Sequence, residues 1–269
     1  MIQGNLKWLV NNNHRAELGI HFAGAGISIV VTSLLVQSML ATNSNWQQQW
    51  IALAILAAII AIPAWRWMPH PSAHGQVKVT KKANPPSKTF KLLMMLAYFC
   101  AGYGYAVSST FIVDIVERVE GLKGQGSIAF LLVGLAATPA TLIWDSIARR
   151  TGFIKALIAA YTLLLIGIIL PAISDTLPVI IISTLLFGGT FIACVSLVLT
   201  MAGNFYPSNP ARSMGTMTLA YGDAQIIAPI PSGCLLEYFG NYNMALYLSA
   251  FIVMIGTWFL FGLLKKPLL

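Results

Sequence analysis

Charged side chains are scarce in this sequence. Only 9% of its 269 residues are Asp, Glu, Lys or Arg, whereas 57% are hydrophobic. Soluble domains carry about 25% charged residues, so this shortage excludes an ordinary soluble globular protein. A chain this apolar needs a solvent other than water around much of its surface, and the composition therefore indicates a polytopic membrane protein.

Cysteine is also scarce, and the pattern of a metal site is missing. The three cysteines, Cys100, Cys194 and Cys234, lie far apart in apolar segments, without a CxxC or a Cys/His spacing. This argues against a disulfide framework and a zinc site. The motifs of serine hydrolases, zinc peptidases and P-loop proteins are missing as well. We therefore expect neither an enzyme nor a bound cofactor or metal.

Long apolar runs, in contrast, are plentiful. A helix needs about 20 apolar residues to cross a bilayer, and eight segments meet this condition. The predicted spans are roughly 19–39, 49–68, 91–113, 127–147, 154–173, 179–201, 213–235 and 244–264. Because the alternating pattern of a membrane β-barrel is missing, these segments predict an all-α polytopic membrane protein with about eight transmembrane helices.

Basic residues lie mainly on one side of these spans. With the N-terminus in the cytoplasm, fourteen of the sixteen lysines and arginines fall in cytoplasmic segments, and only Arg118 and Lys123 fall outside. Cytoplasmic loops carry such an excess in membrane proteins. The sequence therefore predicts that both termini are cytoplasmic. The net charge of +8 is a topology signal rather than a sign of nucleic-acid binding.

The longest connection divides the chain into unequal parts. Residues 69–90 contain prolines and lysines but no acid, a composition that favours a flexible basic cytoplasmic linker. We therefore predict a cytoplasmic N-terminal segment at 1–18, two helices at 19–68, the linker at 69–90 and six helices at 91–269.

Six helices after a long basic cytoplasmic loop resemble the C-terminal half of a major facilitator superfamily transporter. The stretch "WDSIARRTGFIKAL" (144–157) is similar to the G-x-L-A-D-R-x-G-R-R loop that this superfamily carries between two helices on the cytoplasmic side. The stretches "HFAGAGISIVV" (21–31), "AGYGYAVSSTFI" (101–112) and "YGDAQIIAPIPSG" (221–233) resemble its bacterial YbfB/YjiJ-type branch. The resemblance covers nearly the whole chain from about residue 19, and it implies a multi-pass protein of the bacterial inner membrane.

The resemblance also implies a difference in length. Transporters of this superfamily have two halves of six helices, whereas about eight helices are predicted here. Counted from the C-terminus, the chain has a complete C-terminal half and the last two helices of the N-terminal half. We therefore expect a truncated transporter that lacks the first four of twelve helices.

Asp223 is an unusual residue for the middle of a predicted span. An Asp at the centre of a membrane helix costs about 2.5–3.5 kcal/mol on insertion scales, and no lysine or arginine lies at that depth in any predicted span. Asp223 is therefore expected to lie beside water, to be protonated or to pair with a polar neighbour. It is a candidate proton-coupling group, and the alternative is a structural acid that faces a cavity.

Tyr221 and Gln225 lie on another face of the same helix. They are four residues apart, and Asp223 points about 200° away from each of them, so both sets cannot line one cavity fully. We predict Tyr221 and Gln225 as substrate contacts and Asp223 for coupling. Pro229 and Pro231 follow in the same span and predict a kink.

Two other spans carry polar stripes. In the third span, Tyr98, Tyr105 and Ser109 follow helical spacing and are candidate substrate contacts, although a tyrosine near the end of a span can also be an interfacial anchor. In the first span, His21 is a candidate for proton coupling because histidine gains and loses a proton near neutral pH. The alternative for His21 is a capping or packing role at the cytoplasmic end.

The resemblance implies a gating function for the cytoplasmic loop at 144–157. Arg150 and Gly152 match the R-x-G part of the family's loop, but Arg149 stands where the loop has an acid, and Asp145 lies one turn earlier. Asp145 and Arg149 are four residues apart and can pair on a helix. We predict a latch that stabilises one conformation. The alternative is an exposed ion pair that contributes less than about 1 kcal/mol.

Together these features predict secondary active transport of a small solute, coupled to protons, by movement of two halves around a site near the bilayer midplane. Because helices of one half are expected to be missing, the alternative is a non-transporting membrane scaffold that binds a partner chain or itself. An intramembrane enzyme would need a catalytic pair at depth, and the sequence offers only the separate Asp223 and His21. The expected partners are the solute and the lipid bilayer, with an oligomer or partner chain possible where helices are missing.

Overall fold

The computed structural model describes residues 19–66, 86–119, 123–124, 126–205 and 210–264. Within these ranges the chain forms nine α-helices and no strand. They are α1 (Gly19–Ala41), α2 (Trp46–Arg66), α3 (Lys88–Glu117), α4 (Ser127–Thr151), α5 (Phe153–Ile173), α6 (Leu177–Phe205), α7 (Pro210–Ile227), α8 (Pro229–Phe239) and α9 (Asn243–Leu264). The segment predicted at 1–18 lies outside the described residues, and so does the predicted linker up to residue 85.

Seven of these helices are long and apolar enough to cross a membrane. In lipid every backbone N–H and C=O group must find a partner within the protein, and a helix satisfies these groups internally. The remaining predicted span, 213–235, is formed by α7 and α8 in succession, with 18 and 11 residues. The prediction of an all-α polytopic membrane protein is therefore confirmed.

The interruption between α7 and α8 falls at Ala228, directly before Pro229. Pro229 and Pro231 have no N–H, so each leaves one carbonyl of the preceding turn without its helical partner. The Ser232 hydroxyl also donates a hydrogen bond of 2.8 Å to the carbonyl oxygen of Ala228, and a hydroxyl bond of this kind often bends a helix. The helix is thus interrupted where the two prolines predict it.

The buried core lies among α3, α4, α5, α6 and α9, and α7 packs against α3 and α6. Side-chain hydroxyls fasten neighbouring helices in this core. The Tyr161 hydroxyl donates to the Ala97 carbonyl at 3.0 Å and joins α5 to α3. The Ser183 hydroxyl donates to the Gly167 carbonyl at 2.6 Å and joins α6 to α5. Such bonds between helices are a main source of association in lipid, where apolar side chains gain little by leaving the solvent.

The two-helix part contacts the six-helix part mainly through α1 and α4. A Cβ atom on Gly26 of α1 would lie 2.5 Å from the backbone nitrogen of Thr138. A Cβ atom on Gly134 of α4 would lie 2.8 Å from the backbone nitrogen of Val30. Small residues on both helices therefore allow the two backbones to approach closely, as in other membrane helix pairs.

α2 lies at the edge of the structure. It has no buried residue and packs only lightly on α1. Trp46 and Trp50 near its start and Trp65 near its end are exposed, at 68%, 67% and 81%. An apolar helix with tryptophans at both ends has the pattern of a helix that crosses the hydrocarbon layer between its two interfaces.

Candidate functional site

Three tyrosines that the sequence predicts as substrate contacts come together between α3 and α7. The ring centroids of Tyr98 and Tyr221 are 4.6 Å apart, and those of Tyr105 and Tyr221 are 5.9 Å apart. Tyr105 also stacks on Phe187 and Phe191 of α6, with centroid distances of 6.2 and 5.2 Å. We call these five residues the aromatic cluster. Its rings join α3, α6 and α7 near the middle of the bundle.

Close contact between α3 and α7 makes this cluster possible. Gly102 lies between Tyr98 and Tyr105 on α3, and a Cβ atom there would lie 2.6 Å from the carbonyl oxygen of Tyr221. On α7 the facing residue is Ala224, which is fully buried. Because both positions hold the smallest side chains, the larger rings above and below can meet across the interface.

Members of the aromatic cluster differ in their exposure. Tyr98 is only 1% exposed, so its side chain packs in the core. Tyr221 is buried as well, whereas Tyr105 is half-buried. Tyr105 is therefore the tyrosine of the cluster that a solute can reach with the least rearrangement.

Ser109 and Gln225, the other predicted substrate contacts, lie one turn beyond the cluster. Ser109 is half-buried, and its hydroxyl donates to the carbonyl of Ala106 at 3.2 Å on its own helix. Gln225 is half-buried on α7, one turn after Tyr221. Both stay predicted contacts next to the cluster.

Asp223 lies on the opposite side of α7 and is exposed. Its side chain borders two grooves that run along the helix. The groove between α6 and α7, here called the α6 groove, has a volume of about 680 Å³ and reaches Leu199. The groove between α3 and α7, here called the α3 groove, has a volume of about 340 Å³ and reaches Phe99. As the sequence predicts, Asp223 and Tyr221 thus lie on different faces of α7.

The walls of both grooves are mostly apolar, and the described residues that line them include no second charged side chain. The two threonines that line the grooves turn their hydroxyls to their own helix. Thr218 donates to the Met214 carbonyl at 3.0 Å, and Thr216 donates to the Arg212 carbonyl at 2.8 Å. The carboxylate of Asp223 is therefore the one charge in an apolar setting within the described part of this surface.

His21, the second predicted proton-coupling residue, is exposed near the start of α1. α1 packs against α4 rather than against α7. The structure therefore does not place His21 in the grooves beside Asp223, and its proposed coupling role stays a prediction.

Asp145 in the predicted gating loop is buried, with 4% of its surface exposed. Its carboxylate lies directly against Gly19, the first residue of α1. The neighbouring Thr141 hydroxyl donates to the Gly19 carbonyl at 2.8 Å. Because Asp145 is buried, it does not belong to a fully exposed ion pair. Its position at the start of α1 is also the positive end of the helix dipole, where a negative charge is favourable.

The rest of the gating loop faces outward. Arg149 and Arg150 are exposed in the last turn of α4. Gly152 joins α4 to α5 with a φ of 93°, a backbone conformation that favours glycine. The glycine of the R-x-G pattern is therefore explained by the backbone conformation of the turn between α4 and α5.

Sequence reasoning missed three residues of these sites: Phe191, Thr141 and Trp144. The Trp144 indole N–H donates to the Gly189 carbonyl at 2.8 Å and ties α4 to α6. Thr141 and Asp145 are four residues apart, so their shared face was a signal for a polar contact with another helix. Phe191 lies four residues after Phe187, and this spacing was a signal for the aromatic cluster.

In the part of the chain that the structure describes, no group of three or more His, Cys, Asp or Glu side chains is arranged to hold a metal ion.

Comparison with known families gives one match over most of the chain. The family described as "Uncharacterised MFS-type transporter YbfB" matches residues 5–260. Among curated proteins none matches this chain.

Proposed function

This chain belongs to the YbfB family of MFS-type transporters. From this premise we propose that it moves a small solute across the bacterial inner membrane in a step coupled to protons. Membrane transport is what the family membership supports directly. The coupling rests on one observation, the exposed carboxylate of Asp223 between two apolar grooves in the middle of the α7–α8 span.

Asp223 suits a proton carrier because its surroundings supply no permanent counter-charge. α3 and α6 contribute Leu92, Phe99 and Leu199 to the grooves, and none of the described lining residues is basic. The charged groups on its own span are Arg212, about 16.5 Å away along α7 at a rise of 1.5 Å per residue, and Glu237, which lies beyond the interruption near the end of α8. Lys91 lies near the start of α3, outside both grooves. A carboxylate without a basic neighbour is free to take part in an exchange of charge during transport.

We propose that the aromatic cluster and the polar residues beside it form the solute contacts of this half. Tyr105 is the reachable tyrosine, and Ser109 and Gln225 supply hydrogen-bonding groups one turn away. Tyr98 and Tyr221 are packed behind Tyr105 and hold its ring in place.

We propose that the contact between α1 and α4 acts as the latch of the transport cycle, which holds one conformation until the two parts of the protein move. Asp145 near the end of α4 contacts Gly19 at the start of α1. This contact would break when the two-helix part moves away from the six-helix part. Replacing Asp145 by Asn removes the charge but keeps the size. We expect this variant to transport several-fold more slowly while it still binds solute. Transport at the wild-type rate would contradict the latch.

Proteoliposomes test the proposed coupling. The full chain is reconstituted, a pH difference of about 1.5 units is imposed, and uptake is measured for a panel of labelled organic cations, organic anions and neutral solutes. Each pH unit corresponds to about 1.4 kcal/mol, so one proton per solute permits accumulation up to about 30-fold. We expect the Asp223→Asn variant to lose this accumulation, and Glu237→Gln at the end of α8 to keep it. Failure of the wild-type chain to move any solute would overturn the transport proposal.

A membrane scaffold is the second candidate, and the exposed helix α2 is the observation that favours it. A helix without buried residues offers a complete surface to a partner chain. Such a protein would copurify with that partner in mild detergent and would show no solute uptake in the same vesicles.

A further inference from the structure

We infer that the two grooves beside α7 bind a lipophilic organic cation, such as a hydrophobic amine or a quaternary onium ion, and that Asp223 binds its charge on the face of α7 opposite the aromatic cluster. This inference rests on the proposed transport function and names the class of solute that would bind at Asp223, in addition to the proposed contacts at the aromatic cluster. It depends on the charge, the walls and the size of the two grooves beside α7.

The charge of the grooves has one sign. Asp223 is exposed in both of them, and the described residues that line them include no lysine, arginine or histidine. An anion would meet a like charge here and no compensating group. A cation would meet a carboxylate in a setting of low dielectric, where the attraction is stronger than in water.

The walls of the grooves favour an apolar body behind that charge. The α6 groove is lined by leucine, isoleucine and methionine side chains, and the α3 groove adds Met95 and Phe99. The hydroxyls of Thr216 and Thr218 are already bonded to the backbone. These hydroxyls can still accept a hydrogen bond but have no hydrogen left to donate. A sugar or another solute with many hydroxyls would therefore find few partners in these mostly apolar walls, which disfavours binding.

The size of the grooves fits a small molecule. The two grooves are open along the helix, and their volumes of about 680 and 340 Å³ leave room for a small molecule against α7. Methionine adapts its shape to different apolar ligands, and the ring of Phe99 offers a face that attracts cations. The site is thus suited to a class of hydrophobic cations rather than to one rigid molecule.

A second copy of the chain fits this surface less well. Two equivalent α7 faces would bring Asp223 to Asp223, and the described lining residues hold no cation that could separate the two acids. Charge complementarity therefore favours a small cation as the occupant.

Two ions of the same shape and opposite charge test this inference. The full chain is purified in dodecyl maltoside, and equilibrium binding is measured for tetraphenylphosphonium and for tetraphenylborate. We expect saturable binding of the phosphonium cation and binding of the borate anion that is at least about tenfold weaker. Equal binding of both ions would overturn the inference, since it would show a site that ignores charge.

Variants of Asp223 locate the site. Asp223→Asn is expected to weaken phosphonium binding at least about tenfold, whereas Asp223→Glu and the matched surface variant Glu237→Gln should bind within about twofold of the wild type. All variants should elute as the same species and melt at the same temperature. Unchanged binding to a well-folded Asp223→Asn protein would overturn the inference. Efficient cross-linking between two chains through Thr218→Cys would also overturn it, because a second copy would then cover the groove.

Failure of this inference can be distinguished from failure of the transport proposal. If the vesicles accumulate an anion or a neutral solute but the chain does not bind the phosphonium ion, the cation assignment is wrong and proton-coupled transport stands. If the chain binds the phosphonium ion through Asp223 but moves no solute, the binding site stands and the transport proposal is wrong.

Discussion

At the scale of single residues, glycine and the smallest side chains decide where helices meet. Gly102 brings α3 against the backbone of α7, and this contact places the rings of Tyr98 and Tyr105 on Tyr221. Gly222 lies on the groove side of α7, and a Cβ atom there would have no neighbour within 4 Å. The same residue type thus has a packing role at one position and none at the other.

Alanine at these two glycines should have opposite effects on stability. Gly102→Ala forces α3 and α7 apart and should destabilise the protein by about 1–3 kcal/mol, as overpacking usually does. Gly222→Ala adds a methyl group in open space and should leave the stability unchanged or raise it by up to about 1 kcal/mol through helix propensity. Melting temperatures of the purified proteins in detergent measure both. Equal melting temperatures for the two variants would contradict the packing of α3 on α7.

At the scale of helices, the apolar runs predict the spans well because a bilayer requires about 20 consecutive apolar residues. The predicted third span, for example, lies inside α3 (Lys88–Glu117), which extends a few residues further at both ends. Polar residues such as Lys88 and Glu117 continue the helix beyond the apolar run, so hydropathy alone underestimates its length.

The pairing of helices is harder to predict than their positions. Nothing near Thr141 in the sequence shows that it will meet Gly19, because the contact joins residues far apart in the chain. For Asp223, helical geometry predicted its separation from Tyr221, but which face would remain open depended on how α3 and α6 pack on α7. The candidate site was thus predictable as a set of residues on one span, and its division into a packed cluster and an open groove was not.

Two glycines of α1 allow a matched test of the contact between α1 and α4. Gly26 faces the backbone of Thr138, whereas Gly24, two residues earlier on α1, has no neighbour within 4 Å of a Cβ atom. Gly26→Val should therefore separate the helices, lower the melting temperature and slow transport at least about tenfold. Gly24→Val should behave like the wild type in both measurements. The opposite order of the two variants would show that α1 packs through another face.

At the scale of the whole molecule, the seven membrane-length helices and the α7–α8 pair place every described connection on one side of the membrane or the other. With the proposed cytoplasmic termini, the turn between α1 and α2 and the turn between α5 and α6 face the periplasm. The end of α4 and the start of α3 face the cytoplasm. This arrangement follows the distribution of basic residues.

Labelling of single cysteines tests this arrangement. In a protein whose own cysteines are replaced by serine, Ser44→Cys and Thr176→Cys should react in spheroplasts with a maleimide that cannot cross the membrane. Ser87→Cys and Thr151→Cys should react only after the cells are opened. Labelling of all four sites from outside, or of the two sets in reverse, would contradict the proposed orientation.

The claim that Asp223 carries the coupled proton is tested most directly by the proton movement that a solute causes without an imposed pH gradient. Proteoliposomes with a pH indicator inside are supplied with an inward gradient of a transported solute at a concentration that saturates both the wild-type and the Asp223→Asn protein, and the internal pH is recorded. We predict that wild-type protein changes the internal pH as the solute enters, and that the Asp223→Asn variant moves solute down its gradient with no pH change. A proton movement of wild-type size in the Asp223→Asn vesicles would contradict the account.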